Sequence, residues 1–182
     1  MAATLIQSFP PIDRAPREYK GLDGGCGVLA TWGVLKYFNR PVDVPELITR
    51  CEYSKKDGVL AVAIALALHH YGLNVEYFSD PDPHSNELEK KLTQKASILG
   101  LGPRPSIGIE DLLNKLSTSA VSIVLYRSRI WIPHLSPLIG STSGGELILP
   151  YGEPPQVSKE EFERQWNGER IYRTCIVASI KL

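Results

Sequence analysis

The sequence predicts an α+β fold, with helices in the first half and an antiparallel sheet in the second. Two patterns carry this reading. Apolar residues recur at helical spacing through 26–38 and again through 59–72, whereas short β-type segments bounded by turn residues fill 120–180. A third observation bounds the size. At 182 residues and 43% hydrophobic composition the chain can bury a real core, and its length suits a single domain over 1–182.

The elements follow in order. Residues 1–20 read as extended, with Pro10, Pro11 and Pro16 set against a helix. Gly21, Gly24 and Gly25 then form a loop that runs into Cys26. From Cys26 to Phe38, Leu29, Trp32, Val34, Leu35 and Phe38 are spaced for a helix, and Asn39-Arg40-Pro41 ends it because the residue before proline leaves the helical region. Asp43 caps a short helix that has Pro45 in its first turn and ends near Cys51. After Asp57-Gly58 comes a stretch apolar on nearly every side, closed by Gly72, which predicts a central buried helix. Asn74–Ser79 alternates as a strand, and Asn86 with Glu89 forms a capping pair for a polar helix ending near Leu99.

In the second half a short helix covers Glu110–Leu116 and a buried strand Ala120–Tyr126. Leu135–Ser141 and Glu146–Leu149 flank Ser143-Gly144-Gly145 as a hairpin. Ser158 and Glu161 make a capping box for a helix carrying Phe162 and Trp166, and Ile171–Ile180 reads as the last strand.

Charge and cysteine usage narrow the function classes. Lys+Arg and Asp+Glu are 20 each, so the formal net charge is zero, and no basic footprint for nucleic acid or an anionic membrane exists in the bulk numbers. The longest apolar run, Val59–Leu68, falls short of the about 20 residues a membrane span needs, and the N-terminus lacks a signal-peptide pattern. Three cysteines, with no CxxC pair or His/Cys cluster, suggest a reducing, cytoplasmic setting and no zinc site. Asp80 and Asp82 have no third ligand at calcium-loop spacing, so neither metal nor cofactor is expected.

Cys26 carries the chemistry. It joins a glycine-rich loop to the start of a helix, where the dipole and unpaired backbone N–H groups favour the nucleophilic thiolate. Gly25 and Gly27 beside it let a substrate backbone approach closely. On position alone, a small buried apolar residue reads equally well. A nucleophilic thiol needs a base, and there are four histidines. His69 and His70 end the buried helix, and His84 sits in a polar loop. His134 opens a strand, after Ile130, Trp131 and Ile132, which could wall a groove or simply pack.

In their order these segments resemble papain-like cysteine peptidases, within them the bacteriocin-processing, double-glycine-leader branch. Gly24-Gly25-Cys26-Gly27 and the helix after it carry the resemblance, followed by Pro41-Val42-Asp43-Val44-Pro45-Glu46-Leu47, Asp57-Gly58-Val59 and Tyr71-Gly72-Leu73. Val121–Tyr126 followed by His134, then Pro150-Tyr151-Gly152 and 158–166, complete it. The resemblance implies a helical half carrying Cys26, a sheet half carrying His134, and cleavage of a peptide or amide bond in a peptide or protein substrate through an acyl-enzyme. It also places Lys20 where the family has an oxyanion-stabilising Gln, and Gly25 where it has an acidic residue, with Asp23 displaced. Leu149 stands where the family has the Asp or Asn that orients the histidine. Three outcomes are therefore expected: a Cys26–His134 dyad with His134 held by backbone or by Glu146 or Glu153, a thiol acyltransferase, transglutaminase or deamidase, or a non-catalytic binding module.

Overall fold

In the computed structural model, which describes residues 8–128 and 132–180, a four-stranded antiparallel sheet carries helices on both faces. The helices are α1 (Arg17–Lys20), α2 (Cys26–Tyr37), α3 (Val44–Arg50), α4 (Ala61–His70), α5 (Glu87–Ile98), α6 (Ile109–Lys115) and α7 (Lys159–Trp166). The strands are β1 (Asn74–Phe78), β2 (Ala120–Arg127), β3 (Pro133–Leu138), β4 (Leu147–Ile148), β5 (Gln156–Val157) and β6 (Cys175–Ser179). The sheet order is β1-β6-β2-β3, so the strand from the helical half pairs with the last strand of the chain.

The side-chain period of two in β2 explains the two-sided core. Val121 and Ile123 face α2 and α4, while Ala120, Val124 and Tyr126 face α6 and α7 with Phe162 and Trp166. Each fully buried side chain of that size contributes on the order of 1.5–3 kcal/mol of transfer free energy. Capping at Asp43, Asn86 and Ser158 is as the sequence predicts, each side chain accepting from the N–H three residues on.

Three sequence expectations change. Residues 12–20 are not extended: a 3-10 turn covers Ile12–Arg14, and Pro16 occupies the N-cap of α1, a place where its missing N–H costs nothing. The hairpin at 139–148 forms, with Ile139 N–H on the Ile148 carbonyl, but β4 then pairs with β5 as a separate two-stranded sheet. The final strand begins only at Cys175, because Arg170, Tyr172 and Arg173 take positive φ in a turn. Ile130 and Trp131 lie outside the described residues, and Ile132 is exposed.

Candidate active site

The N-terminus of α2 packs against the start of β3, and this contact builds the site. Cys26 is the first residue of α2, and a thiol there sits beside the unpaired N–H groups of the first turn. The approach is close because residue 27 has no side chain. A Cβ at Gly27 would lie 2.7 Å from Val59 Cβ and 3.0 Å from Leu135 Cδ1. The loop before Cys26 is braced from behind. Gly24 takes φ +66 and meets the backbone of Gly58, and Tyr53 Oη donates to the Asp23 carbonyl at 2.9 Å.

Of the four histidines, His134 faces the thiol. It opens β3 opposite Tyr126 of β2, whose ring lies edge-on to the imidazole at 5.6 Å. His70 pairs instead with Glu46 at 3.2 Å, His69 lines a surface cleft with Leu92 and Leu99, and His84 follows Asp82 in its turn.

The imidazole is held from its far side. His134 Nε2 lies 2.8 Å from the main-chain carbonyl of Tyr151. A carbonyl only accepts, so Nε2 carries the proton, and Nδ1 is the nitrogen left for the thiol. Leu149, two residues earlier, is fully buried in the core and offers no polar atom. Of the two more distant acids, Glu146 is exposed on the hairpin turn, while exposed Glu153 exerts a charge effect on His134.

Electrostatics at the pair run in opposing directions. Burial pushes the Cys26 thiol up, but the hydrogen bond from His134 and its positive charge act against this, together with the N–H groups of Leu135 and Gly27. The balance lies below the ordinary 9.0. For His134, burial disfavours the charged ring, and the Cys26 hydrogen bond and charge, the Tyr151 carbonyl and Glu153 outweigh it, so its pKa stands above 6.5. Both shifts favour a thiolate–imidazolium pair. Cys51 and Cys175 are the contrast, buried in the core and each pushed up to about 12 by desolvation.

Lys20 ends α1, and its exposed ammonium donates to the Asp13 carbonyl at 2.6 Å. The Asp23 carboxylate pairs with Lys55 at 3.4 Å in solvent. The expectation that backbone holds His134 is met by the Tyr151 carbonyl, whereas the N–H groups of Leu135 and Gly27 at the sulfur were not among the expectations. Main-chain atoms carry no residue-type signature. The Pro150-Tyr151-Gly152 turn was visible, but only as the neighbour of an absent side chain.

Two solved structures share this fold. A double glycine motif protease from an AMS/PCAT transporter, in complex with the leader peptide, aligns with a TM-score of 0.52 and 16% identity over 99% of this chain and 93% of that one. The peptidase domain of Streptococcus ComA, a bifunctional ABC transporter involved in a quorum-sensing pathway, aligns with a TM-score of 0.55 and 17% identity over 88% and 93%. The chain has the papain-like fold of double-glycine peptidase domains. No protein-family model and no curated protein matches it. Among the described residues, no helix is long and apolar enough to cross a membrane.

Proposed function

We propose that this chain is a single-domain thiol hydrolase that cleaves a peptide or amide bond with Cys26 as nucleophile and His134 as general base and acid. The observation that carries the proposal is His134, held at Nε2 by the Tyr151 carbonyl 2.8 Å away, set at the start of β3 against the end of α2 that bears Cys26. A pair joined this way has a nucleophile, a base, and a group that fixes the base's tautomer.

The steps follow from the protonation states. The thiolate of Cys26 adds to the substrate carbonyl carbon, forming the C–S bond and an oxyanion. The backbone N–H of Cys26 stabilises the oxyanion, and Lys20 does so where its ammonium leaves the Asp13 carbonyl. The imidazolium of His134 gives its Nδ1 proton to the leaving nitrogen as the C–N bond breaks. Water, deprotonated by His134, then adds to the thioester and releases the acid and the thiol. The substrate class is a peptide, a reading supported by the leader peptide bound to a fold neighbour. The free thiols suit a reducing cytoplasmic setting.

The test is the pH dependence of Cys26 alkylation by iodoacetamide, located by peptide mass mapping, in wild type and His134→Ala. The wild-type thiol titrates below 9.0, and His134→Ala moves it upward. A peptide containing a Gly-Gly bond, followed by mass spectrometry, then reports cleavage. Identical titrations in the two proteins would overturn the pair.

A further inference from the structure

We infer that the arm Phe9–Pro10 is a positioning element of the Cys26–His134 pair and acts through Tyr151, whose main-chain carbonyl replaces the orienting side chain absent at Leu149. The inference rests on the thiol-hydrolase reading and adds a control point to the same site.

An orienting carbonyl is useful only if its peptide plane is fixed. Hydrogen bonds weaken steeply as the donor angle falls toward about 120°, and a peptide in a turn can rotate about its flanking dihedrals. Tyr151 is anchored against that rotation from several directions. Its N–H donates to Ser136 Oγ at 3.3 Å, which ties it to β3 two residues after His134. Its ring lies on Gly33 of α2, where an added Cβ would come within 2.8 Å of Cε2. Its hydroxyl donates to the Pro10 carbonyl at 2.9 Å.

The arm completes the clamp. Phe9 stands edge-on to the Tyr151 ring, with centroids 5.8 Å apart at 63°, and stacks on Tyr37 at 5.7 Å and 25°. Tyr37 is in turn fixed through its hydroxyl to the Thr118 carbonyl at 2.8 Å. The arm thus presses Tyr151 onto the helix that carries Cys26, while the other end of the same residue holds His134. Tyr151 is 5% exposed and Phe9 only partly covered, so the outer half of the clamp is the half that a partner or a protease reaches. Capture or removal of the arm loosens the carbonyl, and the imidazole loses its orientation without any change at Cys26 or His134.

The experiment uses the full chain with Phe9→Ala, Tyr151→Phe and the conservative Phe9→Tyr, and with Ile12→Ala as a control on an exposed residue of the same arm. Cys26 alkylation is followed against pH well below the unfolding midpoint, and the His134 ring nitrogens are followed by NMR. The groups facing the pair are Tyr126 from β2 and Glu153 from the turn, and both are untouched by these variants. Phe9→Ala is expected to move the alkylation profile to higher pH and to slow the reaction at pH 7 by up to roughly tenfold, the most that a one-unit rise takes from the thiolate fraction. It should also blur the Nε2–H tautomer signature. Tyr151→Phe, which keeps the ring on Gly33, gives a smaller shift in the same direction, and Phe9→Tyr restores wild-type behaviour. Unchanged profiles and tautomer in both Phe9→Ala and Tyr151→Phe would overturn the inference. If His134→Ala itself leaves the profile unchanged, the hydrolase reading falls. If His134→Ala shifts it and the arm variants do not, only the arm's role falls.

Discussion

Gly27→Ala sets two well-measured effects against each other. Alanine in a helix is favoured over glycine by about 0.8–1 kcal/mol, so a helix argument alone says the variant is more stable. The packing says the opposite. The new methyl would sit 2.7 Å from Val59 Cβ, 3.0 Å from Leu135 Cδ1 and 3.1 Å from Val59 Cγ1. Contact between carbons is comfortable only at about 3.5–4.0 Å, so a gap of close to 1 Å must open. Val59 Cβ is bonded to the backbone and cannot swing away, which leaves the N-terminus of α2 to move off residue 59 and β3. Overpacking of this kind costs about 1–3 kcal/mol. The net is a loss of up to about 2 kcal/mol, and at about 2–4 °C per kcal/mol for a chain of this size the unfolding midpoint falls by several degrees. The chemical effect is larger in proportion. The N–H of Leu135 and the ring of His134 act on Cys26 Sγ across this contact, with the Gly27 N–H beside it on α2, and all hold the thiol down. Moving α2 away from β3 weakens the β3 contributions together, so the alkylation profile shifts to higher pH. Thermal unfolding and alkylation of the same preparation test both halves. A raised midpoint with an unchanged profile would refute the claim that this close approach holds the sulfur.

Cys51 and Cys175, both pushed up to about 12 by burial, are expected to resist iodoacetamide in the native protein at pH 8 and to react only on unfolding; their modification at the rate of Cys26 would contradict the packing. The Asp80 carboxylate is held below its ordinary 3.8 by its hydrogen bonds from Arg173, which outweigh desolvation, with Ser106 and the Arg173 charge adding to the lowering. A depressed folded pKa gives stability that is present above the unfolded value and lost as pH falls through the folded one. Both side chains are more than a third exposed, so Arg173→Ala costs no more than about 1 kcal/mol at pH 7. Urea unfolding at pH 7 and below pH 3 should show that cost vanish in acid, and an equal loss at both would assign Arg173 a packing role instead.

Legibility in the sequence followed the physics of each signal. Caps were readable at Asp43, Asn86 and Ser158 because one side chain satisfying one N–H is a local event. The α+β class was readable because apolar periodicity integrates over many residues. Pro16 was misread because proline disfavours a helix interior yet suits a helix start, and the difference lies in the three residues after it. The late start of β6 was hidden because positive φ at Arg170, Tyr172 and Arg173 runs against the propensity of those residue types. Cys26 and His134, the nucleophile and base of the proposed reaction, were legible because those roles are tied to side-chain identities. A backbone hold on His134 was among the expectations, but which carbonyl supplies it was not legible, since any residue at position 151 has one.

That last point bears on how the pair works. A side-chain carboxylate does two things for a histidine: it selects the tautomer and it stabilises the imidazolium by charge. A main-chain carbonyl does the first, and supports the imidazolium only as a dipole, without a full negative charge. At Tyr151 the Nε2–H form is selected, because a carbonyl oxygen has no proton to offer and no amide face to turn, as an Asn would have. The charge must then come from elsewhere. Exposed Glu153 supplies a screened part of it, and the thiolate of Cys26 supplies the rest. His134 and Cys26 therefore depend on each other more closely than in a full triad, and they titrate as one unit with macroscopic values that belong to the pair. In the proposed pair the orientation that Leu149 cannot supply falls to the fold, through a turn clamped between β3, α2 and the N-terminal arm.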